Sequence, residues 1–334
     1  MGVSVIVPNR NGGATLARCL AAAFASRHPR FEVIVVDDDS RDNSLDVIRR
    51  FPCRLIRLPQ HGGAAAARNA GARHARGEIL FFTDADCLLP PDALARACAG
   101  LAGLGPDTAL GGTYTPVPAD DSFFSRFQSV FIHYSETGHA VDPDYLATHA
   151  LALHAQTFHR YHGFDANVRP ILEDVELSHR LRRGGVRLLL DPALQVRHIF
   201  NHSLWRSLNN AFTKARHWTR YSLANHDLLA DSGTASHGLK INVAAYLASG
   251  LLLFAAWLTG HGALFAAAAL VQAANLWLNR GLLAGFHAAG GPGFVAAASA
   301  YYALVYPVAV GFGAAVGAGE HWMRLAPVRR VAAR

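Results

Sequence analysis

Short apolar runs alternate with segments of helical periodicity over the first half of the chain. Each run is about 4–8 residues long, as buried strands are, while the segments between them carry apolar residues at intervals of three and four. The predicted strands are residues 3–8, 32–38, 53–58, 78–83, 109–117 and 186–190. The predicted helices are residues 14–25, 44–51, 64–75 and 91–101. Strands that alternate with helices predict parallel βαβ units and an α/β fold.

The last third of the chain has a different pattern, with long apolar stretches and few breaks. Residues 241–259 are apolar and long enough to span a bilayer. Residues 262–278 form a second, slightly short candidate, and residues 294–319 form a third that Pro307 interrupts. We therefore expect two to three transmembrane helices. The alternative is a buried helical bundle of a soluble protein.

Charge is distributed unevenly in this chain of 334 residues, whose formal net charge is +7. No acid lies between Asp231 and Glu320, and none lies between residues 192 and 226. Basic residues beside apolar spans are typical of the cytoplasmic membrane face, so a membrane is favoured over nucleic acid as the partner. The basic residues concerned are Arg197, Arg206, Lys214, Arg216, Arg220, Arg324, Arg329, Arg330 and Arg334.

These patterns divide the sequence into four segments. Residues 1–202 form an α/β head, and residues 203–238 form a linker with a basic amphipathic helix at 203–222, which suits a membrane surface or packing on the head. Residues 239–320 form the membrane region, and residues 321–334 form a basic tail.

The expected location is the inner or plasma membrane, as a multi-pass protein with its head in the cytosol. The first apolar run lacks the basic flank of a signal peptide. The four cysteines fit neither a zinc site nor a disulfide framework, which suits a reduced compartment. Three crossings would place the basic tail outside, against the positive-inside tendency, so the number of crossings stays open.

Acidic residues stand at the ends of two predicted strands and at the start of a later helix. They are Asp37–Asp39, the pair Asp84 and Asp86, and Glu173–Asp174. Acids at the carboxyl ends of neighbouring parallel strands converge on the crevice where α/β sheets bind ligands. Two carboxylates one residue apart can share a hard divalent cation that also holds a diphosphate. The pattern indicates nucleotide-sugar chemistry.

Five motifs in order resemble those of a family 2 glycosyltransferase. The motifs are Val3-Ser-Val-Ile-Val-Pro-Asn-Arg-Asn11, Val35-Val-Asp-Asp-Asp-Ser40, Ala67-Arg-Asn-Ala-Gly71, Asp84-Ala-Asp86 and Glu173-Asp-Val-Glu-Leu177. The resemblance covers about residues 3–200. It implies a GT-A fold, which is a Rossmann-like nucleotide-diphospho-sugar transferase fold, with a UDP- or GDP-sugar donor, Mg²⁺ or Mn²⁺, and inversion at the anomeric carbon.

The resemblance also implies a set of donor-binding residues. Asp38, or as second choice Asp37, would accept a hydrogen bond from the N–H of the nucleotide base. The alternative is that one of them caps a helix. Arg68 follows a glycine-rich turn and would bind phosphate, unless it is a plain surface arginine. Pro8, Asn9, Asn11 and Asp84 complete the implied nucleotide-sugar set.

The remaining implied roles are metal binding and proton transfer. Asp84 and Asp86 would hold the metal, against the alternative of an exposed turn, and His198 would touch the metal or the diphosphate. Asp174 would take the proton from the acceptor hydroxyl, and Glu173 would orient it or bind acceptor. The alternative is an acidic first turn that the helix dipole favours.

The function expected from these residues is transfer of one sugar at the cytosolic membrane face. Lys214-Ala-Arg-His-Trp218 stands where processive relatives carry Gln-x-x-Arg-Trp, which favours single-sugar transfer. The expected acceptor is a lipid or lipid-linked glycan in cell-envelope or polysaccharide biosynthesis. Two alternatives stay open: a nucleotidyltransferase that acts on a sugar phosphate, and a non-catalytic membrane protein that binds nucleotide sugars.

Overall fold

A computed structural model describes residues 1–168 and 170–323 and divides into two compact units. Unit 1 comprises residues 1–121 and 136–201, and unit 2 comprises residues 122–135 and the chain from residue 202. Residues 122–135, which the sequence patterns left inside the head, thus belong to the C-terminal unit. The four arginines of the expected basic tail, at 324, 329, 330 and 334, lie outside the described residues.

Strands and helices alternate through the first 121 residues, as the periodicity predicts. The strands are β1 Val3–Asn9, β2 Phe31–Asp37, β3 Arg54–Arg57, β4 Ile79–Phe82, β5 Cys87–Leu88, β6 Thr108–Tyr114, β7 Leu151–His154 and β8 Arg187–His198. The helices are α1 Gly13–Phe24, α2 Ser44–Ile48, α3 Ala64–His74, α4 Ala93–Leu101, α5 Phe123–Thr137, α6 Ala155–Arg160, α7 Glu173–Arg183, α8 Leu204–Asn225, α9 His237–Thr259, α10 Ala263–Leu278, α11 Arg280–Ala300 and α12 Tyr306–Trp322.

Unit 1 is built on one mixed sheet with the strand order β3-β2-β1-β4-β7-β6-β8-β5. β1 pairs in parallel with β2 and β4, and β2 pairs in parallel with β3. All four residues of β4 are buried, as expected for a strand covered on both faces. Because β1, β2 and β4 run the same way, the residues that follow them meet at one edge of the sheet.

The second half of the sheet departs from the parallel pattern. β7 is antiparallel to both β4 and β6, and the sequence patterns missed it. β8 continues eight residues past the predicted end at Leu190, through Pro192, to His198. Proline lacks an N–H for the ladder and hides this strand from sequence patterns. Opposite this stretch β6 changes register, and a Cβ on Gly112 would lie 2.1 Å from the Leu194 carbonyl oxygen.

Unit 2 is helical, and its tightest contact joins α8 to α12. A Cβ on Gly313 would lie 2.3 Å from the carbonyl oxygen of Phe212, and one on Gly317 would lie 2.2 Å from that of Arg216. Two glycines four residues apart let two helix backbones approach this closely. Arg216 also forms an ion pair with Glu320 on α12.

Two stretches of unit 2 are long and apolar enough to cross a membrane: His237–Thr259 and Arg280–Trp322. α10, which matches the expected second span, has 16 residues and falls below the roughly 17 that a crossing needs. The α-helical geometry of the last stretch is broken by a π-helical turn at Tyr301–Val305, directly before Pro307, where the sequence predicts an interruption. A second break lies at Gly291, with a φ of 72°.

Candidate functional site

The loops after β1 and β2 are tied together by the residues of the first two motifs. Asn9 Nδ2 donates to Asp37 Oδ1 and to Ser40 Oγ, each at 3.2 Å. The Asn11 backbone N–H donates to Ser40 Oγ at 2.9 Å, and Arg41 N–H donates to Asn11 Oδ1 at 2.8 Å. Asn9 Oδ1 is buried with no hydrogen-bond partner among the described residues. The structure therefore brings these residues together and leaves one buried acceptor at the sheet edge.

Asp38 holds the glycine-rich turn that leads into α3. Its carboxylate accepts from Gly62 N–H at 2.6 Å and from Gly63 N–H at 2.9 Å, and it lies 2.8 Å from His61 Nδ1. Gly63 has a φ of 87°, a conformation that glycine adopts without strain. The sequence offered two roles for this carboxylate, binding the nucleotide base or capping the next helix. In the structure it accepts hydrogen bonds from the backbone before α3, and not from the helix that follows Asp38.

Pro8 is the last residue but one of β1 and lies opposite Val36 in the register of β2. Its missing N–H and fixed φ suit a strand end that turns into a binding loop. It is therefore placed beside the loops that Asn9 and Asp37 connect.

Arg68 lies at the centre of the acidic residues. Its guanidinium donates to Asp84 Oδ1 at 2.7 Å and to Glu173 Oε1 at 2.6 Å, and the residue is 4 % exposed. Burial lowers the pKa of this guanidinium, but Asp84 and Glu173 outweigh burial and raise it, so the cation persists. The alternative of a plain surface arginine is wrong. Arg68 connects the end of β4 to the start of α7.

Asp84 and Asp86 follow β4 on a turn, as the sequence predicts. Burial raises the pKa of Asp84, yet the charge of Arg68 overcomes it and lowers the pKa below its usual value. Asp86 Oδ1 lies 3.2 Å from His198 Nε2, because Cys87 pairs with His198 in the register of β5 and β8. Strand pairing across about 110 positions of sequence therefore brings His198 to the acid pair.

The donor atoms of Asp86, Cys87 and His198 all lie within 4.8 Å of one another. Burial and then the charges of Asp86 and Asp84 raise the pKa of the Cys87 thiol, so sulfur stays protonated and is a poor ligand. A carboxylate oxygen and an imidazole nitrogen suit Mn²⁺, and carboxylates suit Mg²⁺. His198 Nδ1 is buried without a partner among the described residues. This donor set fits a hard divalent metal.

Glu173 and Asp174 open α7 directly after a strained residue. Leu172 has a φ of 80°, which is costly for a leucine and marks a position that its surroundings enforce. Asp174 accepts from Val175 N–H at 2.9 Å and from Thr148 N–H at 3.4 Å. Burial and the negative charge of Glu173 raise the pKa of Asp174 to about 6, although Arg68 opposes them. Such a value suits a group that takes protons near neutral pH.

The turn before α7 is pinned to α3 by Asn69. Its Nδ2 donates to the Phe164 carbonyl oxygen at 2.7 Å, and its Oδ1 accepts from Phe164 N–H at 2.9 Å. Asn69 is next to Arg68 in the third motif. Helix α3 therefore holds both the Arg68 guanidinium and the turn at Phe164 that precedes Asp174.

One buried pair near the site was missed by the sequence patterns. His149 Nε2 lies 3.5 Å from Glu136 Oε2, which also accepts from Thr113 Oγ1 at 2.7 Å. Burial lowers the pKa of His149, but Glu136 outweighs it and raises the pKa above its usual value. Tyr114 stacks on His149 at 4.0 Å and meets His198 edge-on at 4.9 Å. Among 18 histidines nothing local distinguishes His149, so only the fold could reveal it.

The fold and site together define a GT-A-like mixed α/β domain. The chain resembles the mannosyltransferase PcManGT from Pyrobaculum calidifontis, solved in complex with GDP-Man and Mn²⁺, with a TM-score of 0.58 and 22 % identity. That match covers 96 % of this chain and 87 % of the other, and it speaks to the fold alone.

Residues 4–161 match the family model described as Glycosyl transferase family 2. The glycosyltransferase AglE of Haloferax volcanii is 31 % identical over 134 residues, which cover 38 % of this chain and 44 % of AglE. The poly(ribitol-phosphate) beta-glucosyltransferase of Bacillus spizizenii is 31 % identical over 104 residues, which cover 29 % of this chain and 16 % of the relative. Each match therefore spans less than half of the relative's length. The family match supports the resemblance over residues 4–161, and the motif Glu173-Asp-Val-Glu-Leu177 lies beyond the matched residues.

Proposed function

We propose that the protein is a membrane-bound inverting glycosyltransferase that moves one sugar from a UDP- or GDP-sugar to an acceptor at the cytosolic membrane face. The observation that carries the proposal is the bridge made by Arg68. Its guanidinium binds Asp84, on the side where a metal and diphosphate would bind. It also binds Glu173, which is next to the partly buried Asp174. One buried side chain therefore connects the donor side of the site to the proposed general base.

Mg²⁺ or Mn²⁺ would be held by Asp86 and His198, with Asp84 close to it on the same turn. When bound, the ion supplies charge neutralisation of the departing diphosphate. Asp84 is kept ionised by Arg68, whose cation adds positive charge on that side of the site. The stacking of His198 on Phe200, with ring centroids 3.9 Å apart, fixes the orientation of the imidazole.

Asp174 is the proposed general base. Two backbone N–H groups orient its carboxylate, and its raised pKa leaves a carboxylate basic enough to accept the proton of an acceptor hydroxyl as the anomeric carbon is attacked. Glu173, which is bound to Arg68, raises that basicity and holds the start of α7 in place. Glu173 is therefore a positioning residue.

The nucleotide would lie over the ends of β1 and β2. Asp38 holds the turn at Gly62 and Gly63, and both of its oxygens already accept hydrogen bonds. A carboxylate offers about four lone-pair positions, so it can accept one more from the N–H of a base. Asp37 keeps Asn9 in place at the same edge.

The membrane part of the proposal rests on composition. The helix His237–Thr259 and the stretch Arg280–Trp322 are long and apolar enough to cross a bilayer. α8 carries four basic residues and no acid, which suits the cytosolic surface of an anionic membrane. We therefore place the acceptor in a lipid or a lipid-linked glycan, as part of cell-envelope or polysaccharide synthesis. One relative that this chain resembles is named a poly(ribitol-phosphate) beta-glucosyltransferase.

The test uses membranes that contain the overproduced protein, Mn²⁺ and a panel of radiolabelled nucleotide sugars, with Asp174→Asn run beside the wild type. We expect label from one donor in the lipid extract, dependent on Asp174. Label in polymer only would move the acceptor away from lipid. Pyrophosphate release from a nucleoside triphosphate and a sugar phosphate would mean a nucleotidyltransferase, and donor binding without turnover would mean a binding protein.

A further inference from the structure

Helices α9 and α10 of unit 2 form an antiparallel hairpin with a largely apolar exterior. Asn242 Oδ1 accepts from Asn275 Nδ2 at 2.7 Å, and further along Ser249 Oγ donates to the Ala268 carbonyl oxygen at 3.4 Å. Between the asparagine pair and the turn at residues 260–262, large apolar side chains are 53–74 % exposed: Leu247, Leu251, Phe254, Trp257, Phe265 and Leu270. Apolar surface on this scale marks a face that meets lipid or another apolar partner.

Buried asparagines hold the open end of this hairpin to the residues that follow α11. Asn242 Nδ2 donates to the Tyr302 carbonyl oxygen at 2.7 Å, in the π-helical turn. The Tyr302 hydroxyl lies 3.2 Å from Asn279 Oδ1 and 3.3 Å from the Gly238 carbonyl oxygen. Amide side chains in hydrocarbon need such partners inside the protein. The chain therefore returns to the open end of the hairpin after α10, and again after α11.

The basic residues of this region stand at the same end of the hairpin. Among residues 232–319, the Lys and Arg residues are Lys240, near the start of α9, and Arg280, two positions after α10. The turn at residues 260–262 carries no acid, lysine or arginine. The Arg280 guanidinium lies 5.1 Å from the centroid of the Trp277 ring, and basic residues and tryptophan are typical anchors at a membrane interface. Since basic flanks favour the cytosolic side, the open end faces the cytosol.

The last apolar helix, α12, is tied to a helix that cannot cross a bilayer. Gly313 and Gly317 lie against the backbone of Phe212 and Arg216, so α12 runs parallel to α8. The basic residues of α8 extend from position 206 to position 220, over about 21 Å of helix. A helix charged over that length would bury its charges if it crossed the hydrocarbon, so α8 lies along the surface. Helix α12 then lies along the surface beside it.

Given the membrane association proposed for this protein, we infer that unit 2 enters the bilayer from the cytosolic face and returns to it without carrying the chain across. The hairpin of α9 and α10 is the inserted part, and its apolar exterior meets the acyl chains. Its length from Asn242 to Thr259 is about 26 Å, against a hydrocarbon core of about 30 Å. The stretch Arg280–Trp322, although long enough to cross, is bent at Gly291 and ends along α8.

Single cysteines in the full-length chain, probed with a charged maleimide in sealed vesicles, test this topology. The parent carries Cys53→Ser, since the other three native cysteines are at most 9 % exposed. Arg50→Cys, at an exposed position of unit 1, marks the side on which the head lies. Right-side-out and inside-out vesicles are labelled in parallel. The probes stand at exposed positions of unit 2 and are His237→Cys, His261→Cys, Arg280→Cys and Trp322→Cys.

We expect positions 237, 280 and 322 to follow position 50, with labelling at least about tenfold faster in inside-out vesicles, because a bilayer excludes a charged reagent. Position 261 should not be labelled in inside-out vesicles. External labelling at position 280 alone would mean two crossings, at position 322 alone three, and at both one. Each of these results would overturn the inference, as would labelling of position 261 in inside-out vesicles.

The fate of the proposed function is read separately. Recovery of the protein in the soluble fraction would overturn this topology together with the membrane part of the proposed function. Sugar transfer by the detergent-solubilised protein reports on the enzymatic part alone.

Discussion

The raised pKa of Asp174 predicts a specific dependence of the transfer rate on pH. With a pKa of about 6, roughly nine-tenths of the carboxyl is ionised at pH 7 and roughly one-tenth at pH 5. A reaction that needs the carboxylate should therefore lose about tenfold in kcat/KM over that interval. With the usual pKa of 3.8 the loss would be less than about 10 %.

Two neighbouring groups, Asp84 and His149, have pKa values shifted away from this acid limb. The pKa of Asp84 is lowered, against the effect of burial, by Arg68, so Asp84 stays ionised through this range. The pKa of His149 is raised by Glu136 despite burial, so loss of its proton belongs to the alkaline side. An acceptor phosphate could also titrate near pH 6, and a variant must separate it from Asp174.

Glu173→Gln provides that separation. The amide oxygen still accepts from Arg68, but the negative charge that raises the pKa of Asp174 is gone. The acid limb should move to lower pH by up to about one unit. The assay is initial-rate transfer at saturating metal from pH 4.5 to 8, with the protein's integrity checked at each pH. A wild-type limb near pH 4, or a limb near pH 6 that Glu173→Gln leaves in place, would refute the reasoning.

Three further outcomes follow from the same contacts. Phe200→Leu removes the ring on which His198 stacks and should weaken Mn²⁺ binding about tenfold, measured by electron paramagnetic resonance, with little change in melting temperature. Gly317→Val should destabilise unit 2 by about 2 kcal/mol or more because of the approach to the α8 backbone, whereas Gly319→Val, whose nearest atom is 3.9 Å away, should not. Asp174→Asn should raise the free energy of unfolding at pH 7 by about 1–2 kcal/mol, since the folded state no longer holds an unfavourable charge. Most of that gain should be lost at pH 3.5, where Asp174 is mostly protonated in both the folded and the unfolded state, and chemical denaturation at the two pH values checks it.

Local patterns reveal the parts of this protein in which neighbours in sequence are also neighbours in space. The strands that end at Asp37 and Phe82 are continuous apolar runs, so the acids that follow them could be placed at one sheet edge from sequence alone. The helix that begins at Glu173 was signalled by its acidic first turn. These features carried the prediction of the fold and of the acid set.

The contacts that only the fold supplies could not be read in this way. Glu136 lies at the end of helix α5 and His149 in a short 3₁₀ turn, 13 positions further along the chain, so only the fold shows that they meet. In the sequence, the glycines at 313 and 317 are ordinary small residues of an apolar stretch. Only the structure shows that they lie against the backbone of α8.

Sugar transfer and donor binding, measured on the same Asp174→Asn protein, test the central claim most directly. Calorimetry with Mn²⁺ and the donor found by the panel gives binding, and release of nucleoside diphosphate together with labelled product gives transfer. The account predicts donor affinity within about threefold of wild type and a loss of transfer of at least about 100-fold, as removal of a general base causes. Transfer at the wild-type rate by Asp174→Asn would contradict it.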